Sequence, residues 1–274
     1  MKNPDLLICW HESCDFPIAR RFLRRHRNFF GKIIIYFSKH FRGNVYTPFL
    51  KSVMEDLGNT VFLDPIEYEY GVSDWRNVAT HYMLEHSNSE WVCSVEGDFF
   101  ANNWDKLLSD IAEASKTYDL LGYSGHQGQA QHQGPYLAGN YVHPAFWFMK
   151  RSTLEKTNMD FSADPKRGAD HFGLITQDAN RLGIPIWYMQ DHGWEDFKDA
   201  FHQGGINQAY LEFPKENFAS HRPDLFYIYN HFSMKAEVPQ DPKFMDLCSQ
   251  INEVLKKSFP DVDPENNPWS HFYV

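Results

Sequence analysis

The chain has 274 residues, 42% of them hydrophobic and 23% charged, a balance that excludes general disorder and allows a large hydrophobic core. Its net charge of −10 excludes a protein whose whole surface grips nucleic acid, because phosphate binding needs a concentrated positive field. Aromatic residues reach 16%, and their flat rings suit both a packed core and surfaces that bind sugars or bases.

From residue 5 onward, strand-like and helix-like patterns alternate. DLLICW is a short apolar run, after which Asp15 and Pro17 supply an N-cap and a first-turn proline for a helix to about Phe30. That helix carries Arg20, Arg21, Arg24, Arg25 and Arg27, read either as a solvated face or as a strip for an anionic acceptor or membrane surface. KIIIYFS and VFLDP are β-branched or apolar runs of the buried type. Ser73 or Asp74 then caps a helix bearing Val78, Ala79, Tyr82 and Met83, and HSNSE stops it before the strand WVCSV. Trp104, Leu107, Leu108, Ile111 and Ala112 recur at helical spacing and lead into the strand DLLGYS.

Buried strands separated by helices predict an α/β fold, with a mostly parallel central sheet flanked by helices on both faces. Such sheets bind ligands outside the carboxyl ends of the strands, at a topological switch point. WVCSVEGDFF puts Glu96 and Asp98 at such a strand end with only Gly97 between them. Two acids there form an oxygen-only site suited to Mg²⁺ or Mn²⁺ together with phosphate, or else a turn whose acids face water.

The second half is less regular. Residues 125–140 form a Gly/Gln/His-rich loop, HPAFWFMK a strand, ADHFGLITQDANRLG a helix ended by Gly183, and IPIWYM another strand. QDHGWEDFKDAFHQGGINQ reads as loop, FYIYNHF as strand, and Asp241 with Pro242 opens a last helix. His126, His132 and His143 match no zinc spacing, and there is no P-loop, GxGxxG after the first strand or GxSxG elbow. Cys9, Cys14, Cys93 and Cys248 show no CxxC pairing, which favours reduced thiols. The amino-terminal stretch has no signal-peptide pattern and no apolar run reaches membrane-spanning length, so a cytoplasmic protein is expected.

The stretch DWRNVATHYMLEHSNSEWVCSVEGDFF resembles the donor-binding segment of GT-A fold glycosyltransferases of the family-2-like kind. Arg76 and Asn77 match the pair that opens a helix there, Ser89, Glu90 and Trp91 match the break, and Glu96, Gly97 and Asp98 occupy the D-x-D motif. The resemblance implies Asp98 as metal ligand and Glu96 as a contact to ribose or a metal-bound water. It also implies Trp10, His11, Glu12 and Ser13 around the base and ribose, with Tyr36, Phe37, Ser38 and Lys39 departing from the acids usual after the second strand.

In the acceptor half, GADHFGLITQDANRLGIPIWYM resembles the family's E-D helix, which puts Asp170 at the general base, with Ala169 in place of the first acid. Asp170 read on its own is a helix N-cap, and Glu195 with Asp196 is a second acid pair. A late histidine closing the metal site falls on His231, with His221 second. Trp147, Trp187 and Trp194 are candidates for stacking on sugars, and Arg76 or Lys39 for assisting the leaving diphosphate.

The whole implies one GT-A-like domain. Residues 5–124 are its nucleotide-sugar half, 125–240 its acceptor half, and 241–274 a helix and tail. The implied reaction is metal-dependent hexosyl transfer from a nucleotide diphosphate sugar, UDP being the commonest base, to a carbohydrate or other hydroxyl. A glycosyltransferase acting on modified DNA bases and a non-catalytic sugar- or nucleotide-binding protein are the alternatives.

Overall fold

The structure, a computed structural model, describes residues 1–10, 22–23, 25–37, 57–64, 66, 71–96, 99–125, 141–163, 171–195 and 199–202. Strands β1 (Asp5–Trp10), β2 (Ile33–Phe37) and β3 (Thr60–Leu63) are the first three apolar runs of the chain. Helix α1 (Gly71–Glu85) leads to β4 (Trp91–Val95) and the short β5 (Phe99–Ala101). Helix α2 (Trp104–Ala114) precedes β6 (Leu120–Gly125), and β7 (Tyr141–Lys150) runs into α3 (Arg151–Leu154). Helix α4 (Gly173–Arg181), β8 (Ile186–Tyr188), a 3-10 turn (Met189–His192) and β9 (Ala200–His202) complete the described chain.

Seven strands form one sheet in the order β3-β2-β1-β4-β7-β6-β8. Its ladders are parallel except those that β7 makes with β4 and β6. The expected mostly parallel sheet is thus present, with β7 as its one reversed strand. The chain lays down β1, β2 and β3 outward in one direction and then returns to put β4 on the other side of β1. The switch point is therefore between β1 and β4.

Side-chain alternation explains why the strands read as continuous apolar runs. Leu6, Ile8, Ile33, Ile35, Cys93 and Val95 face a core that includes Phe22, Leu23, Trp104 and Leu107. Leu7, Ile34, Tyr36 and Val92 face a second core with Ala79 and Met83 of α1 and Ile175 of α4. Both faces are covered by helices, so neither needs polar residues. The β6–β7 register shifts near Gly122, where an added Cβ would lie 2.8 Å from the Phe146 carbonyl oxygen and 2.4 Å from Val142 Cγ1.

Several local readings change. Helix α1 begins at Gly71, so Ser73 and Asp74 are inside it rather than capping it. Helix α2 has its cap just before the apolar stripe, where Asn103 Oδ1 accepts from the Lys106 N–H at 2.9 Å. Helix α4 starts at Gly173 with Phe172 in the cap position, so Asp170 is not its N-cap. The stretch from residue 190 to 208, read as loop, contains most of the 3-10 turn (Met189–His192) and β9, which pairs antiparallel with β5. The 126–140 loop, the FYIYNHF strand and the last helix lie outside the described residues. Among the described residues no helix is long and apolar enough to cross a membrane.

Candidate functional site

Strands β1 and β4 run in the same direction, paired at Asp5↔Val92 and Leu6↔Cys93, and end on the same edge of the sheet. Trp10 closes β1 and Glu96 follows β4, so both segments singled out by the resemblance leave the sheet at the switch point. Backbone bonds fix the exit of β4: the Glu96 N–H donates to Ala145 O at 2.8 Å, and its carbonyl accepts from the Phe99 N–H at 3.1 Å. These bonds bracket Gly97 and Asp98, which lie outside the described residues together with His11, Glu12, Ser13, Lys39, Ala169, Asp170, Asp196, His221 and His231.

The Glu96 carboxylate accepts from Arg76 Nη1 of α1. Both side chains are largely sheltered, 19% and 26% exposed, where a charge-assisted bond is stronger than in open water. The structure thus brings together two residues that the motif separates by twenty positions. Asn77 does something different: its Oδ1 accepts from the backbone N–H of Phe161 at 2.9 Å, tying α1 to the stretch that follows α3.

Strand β5 carries the chain away from Asp98 and pairs with β9 in the register Phe99↔His202, Phe100↔Phe201 and Ala101↔Ala200. His202 is therefore opposite the neighbour of Asp98, a position that no periodicity could reveal because both strands have only three residues. Exposed Glu195 sits in the turn before β9, where Asp199 N donates to its carbonyl at 2.8 Å. That turn meets the far end of β5, at Ala101.

The three tryptophans proposed to stack on sugars are core residues instead, with exposures of 4%, 4% and 3% for Trp147, Trp187 and Trp194. Trp147 stacks on Phe172 with centroids 4.7 Å apart, and Trp187 stacks on His192 at 5.0 Å. Trp194 Nε1 donates to Asp110 Oδ2 at 3.0 Å while Lys106 Nζ sits 4.6 Å above its ring. The Trp194 indole N–H thus has its acceptor within the protein, which is how the polar edge of a large ring is buried without loss.

The arginine strip also divides. Arg25 is exposed and lines a polar cleft of about 600 Å³ with Asn102, Asp105, Lys106 and Asp199. Arg27 instead donates to Phe30 O at 2.8 Å, Gly31 O at 2.9 Å, Gly58 O at 3.0 Å and Leu57 O. Cys93 is a free thiol, and burial pushes it up. No cluster of three His, Cys, Asp or Glu side chains suited to a metal is found among the described residues.

No protein-family model and no curated protein sequence matches the chain. Solved structures do. A mannosyltransferase of Pyrobaculum calidifontis, in complex with GDP-Man and Mn²⁺, aligns with a TM-score of 0.50 at 13% identity, over 98% of this chain and 72% of its own. Glucosyl-3-phosphoglycerate synthase of Mycobacterium tuberculosis, with Mn²⁺, UDP and phosphoglyceric acid, gives 0.48 at 12% identity over 68% of each chain. Staphylococcus aureus TarS 1–349 gives 0.46 at 13% identity over 99% of this chain and 86% of its own. At these identities the likeness concerns architecture, and the first of them carries it. The strand order, the switch point and that alignment agree: the chain has a GT-A-like α/β fold.

Proposed function

We propose that the protein is a glycosyltransferase that moves a sugar from a nucleotide diphosphate donor to an acceptor hydroxyl, with residues 5–124 holding the donor and 125–240 the acceptor. The observation that carries this reading is the Arg76–Glu96 pair at the exit of β4, beside the end of β1 at the switch point. The mannosyltransferase that shares the architecture was solved with GDP-Man and Mn²⁺, which supports a nucleotide sugar and a divalent metal as this chain's ligands too. UDP and GDP donors are both candidates.

The donor set suits a hard cation. Glu96 is already held by a guanidinium, so the metal falls to Asp98, two residues on, with a late histidine, His231 first and His221 second, closing the site. A bound Mg²⁺ or Mn²⁺ supplies charge stabilisation for the leaving diphosphate. Arg76 keeps Glu96 oriented toward the ribose or a metal-bound water, and Trp10, His11 and Glu12 contact base and ribose. Asp170 takes the proton from the acceptor hydroxyl. Glu195 and Asp196 rank behind it because their turn joins the far end of β5. Arg27, engaged with backbone carbonyls, would not belong to a basic strip for DNA.

The test is release of nucleoside diphosphate from UDP-glucose and GDP-mannose with Mn²⁺, in the wild type and in Asp98→Ala. Turnover in the first and none in the second supports the reading. Tight donor binding without turnover would make the protein a non-catalytic binder instead.

A further inference from the structure

Asn77 and His81 are four residues apart on α1 and so share one face of it. Both reach the same short stretch of chain. Asn77 Oδ1 accepts from the Phe161 N–H at 2.9 Å, and His81 Nε2 bonds Met159 O at 2.8 Å. A carbonyl only accepts, so His81 carries its proton on Nε2. The His81 ring also meets the Phe161 ring edge-on at 5.7 Å.

Met159 has φ of 53°, a left-handed conformation that residues with side chains seldom adopt. It is held from both sides, because its N–H donates to Thr157 Oγ1 at 3.1 Å while its carbonyl takes the bond from His81. Beyond it, Phe161 O accepts from His171 Nδ1 at 3.3 Å, and the Phe161 and Phe172 rings lie 6.0 Å apart over Trp147. Residues 161 and 171, ten positions apart, are thereby fastened to each other, and the junction is fastened to α1. Asp170 is covalently the next residue to His171.

We propose that Asn77 and His81 are positioning residues that fix the neck of the 162–170 segment, and with it Asp170, against the helix whose Arg76 holds Glu96. Helix α1 is then the rigid element that the donor contact and the acceptor base share. This rests on the reading of Asp170 as general base. It also reassigns Asn77 from donor contact to neck clamp, because its acceptor oxygen is already engaged by the amide of a buried residue.

The test uses the full chain in four variants: Asn77→Leu and His81→Phe, which remove the bonds, and Asn77→Asp and His81→Gln, which keep an acceptor or a donor in place. Amide exchange over 159–172 reads the clamp without needing activity, and His81→Phe, which retains a ring against Phe161, carries this arm should Asn77→Leu not fold. Donor hydrolysis with Mn²⁺, water serving as acceptor, reads the base, and calorimetry with UDP-glucose and GDP-mannose reads donor affinity. The disruptive variants should raise exchange there about tenfold and lower kcat about 100-fold, with donor Kd changed by no more than about twofold. The conservative variants should recover most of both. Unchanged exchange over 159–172 overturns the clamp, and a fall in donor affinity at unchanged kcat returns Asn77 to the donor. Should the wild type hydrolyse no donor, the base assignment and the positioning role fall together, while exchange still decides whether the clamp exists.

Discussion

Arg76 of α1 donates through Nη1 to the carboxylate of Glu96, the residue that leaves β4 at the switch point. The helix begins five residues before Arg76, and the strand is locked by its ladders to β1 and β7, so two rigid elements hold the pair. A carboxylate fixed in this way holds one orientation, which would spare a ligand that met it the cost of ordering it.

Removing either partner should therefore affect both stability and donor binding. Arg76→Ala takes the guanidinium away from a sheltered carboxylate and should lower stability by about 1–3 kcal/mol. Donor affinity should fall about tenfold in both Arg76→Ala and Glu96→Gln, measured by calorimetry with Mn²⁺ present. A double-mutant cycle should show coupling of about 1 kcal/mol or more, and additive effects would mean that the pair is not a working unit.

Stability should fall in mild acid because of His26. Its ring is 6% exposed, packed between Phe22 and Trp104, and burial pushes its pKa down from 6.5 to about 4, against an upward pull from Asp105 and with a further downward push from Arg25. The unfolded chain takes up this proton below 6.5 and the folded chain only near 4. The stabilisation is therefore whole above pH 6.5 and is lost progressively as pH falls toward 4, by about 3 kcal/mol in all. Urea unfolding between pH 7.5 and 4.5 should show this slope in the wild type and a flatter one in His26→Phe. Equal slopes would contradict it.

Arg27 should matter to stability where its neighbour Arg25 does not. Arg27→Ala strips donors from carbonyls of two chain segments, 30–31 and 57–58, and should cost about 2–3 kcal/mol in denaturant unfolding. Lysine should recover little of it, since an ammonium cannot fork across several carbonyls. Arg25→Ala, on an exposed side chain, should change stability by no more than about 0.5 kcal/mol.

Much of the fold was legible because parallel strands covered on both faces have no polar side: KIIIYFS and WVCSV could be little else. Helix α2 was legible for the complementary reason, a single apolar stripe at Trp104, Leu107, Leu108 and Ile111. The β5–β9 pair was not, because three-residue strands carry no periodicity and their partner is a hundred positions away. The site was legible only as a strand end with two acids. That Arg76 meets Glu96, that Asn77 bonds Phe161 and that Trp147 is core depend on how helices seat on the sheet. An arginine next to an asparagine looks like one motif in sequence, yet successive residues on a helix point about 100° apart, and these two serve different neighbours.

The most direct measurement is thermal unfolding of the wild type and Asp98→Ala with UDP-glucose, GDP-mannose and related nucleotide sugars, each with and without Mn²⁺. A donor that binds only the folded state raises its melting temperature. We expect at least one donor to raise it in the wild type, more with Mn²⁺ than without, and the Mn²⁺-dependent part to vanish in Asp98→Ala. No shift with any nucleotide sugar, or an equal Mn²⁺-dependent shift in both proteins, would contradict a metal-assisted donor site at the end of β4.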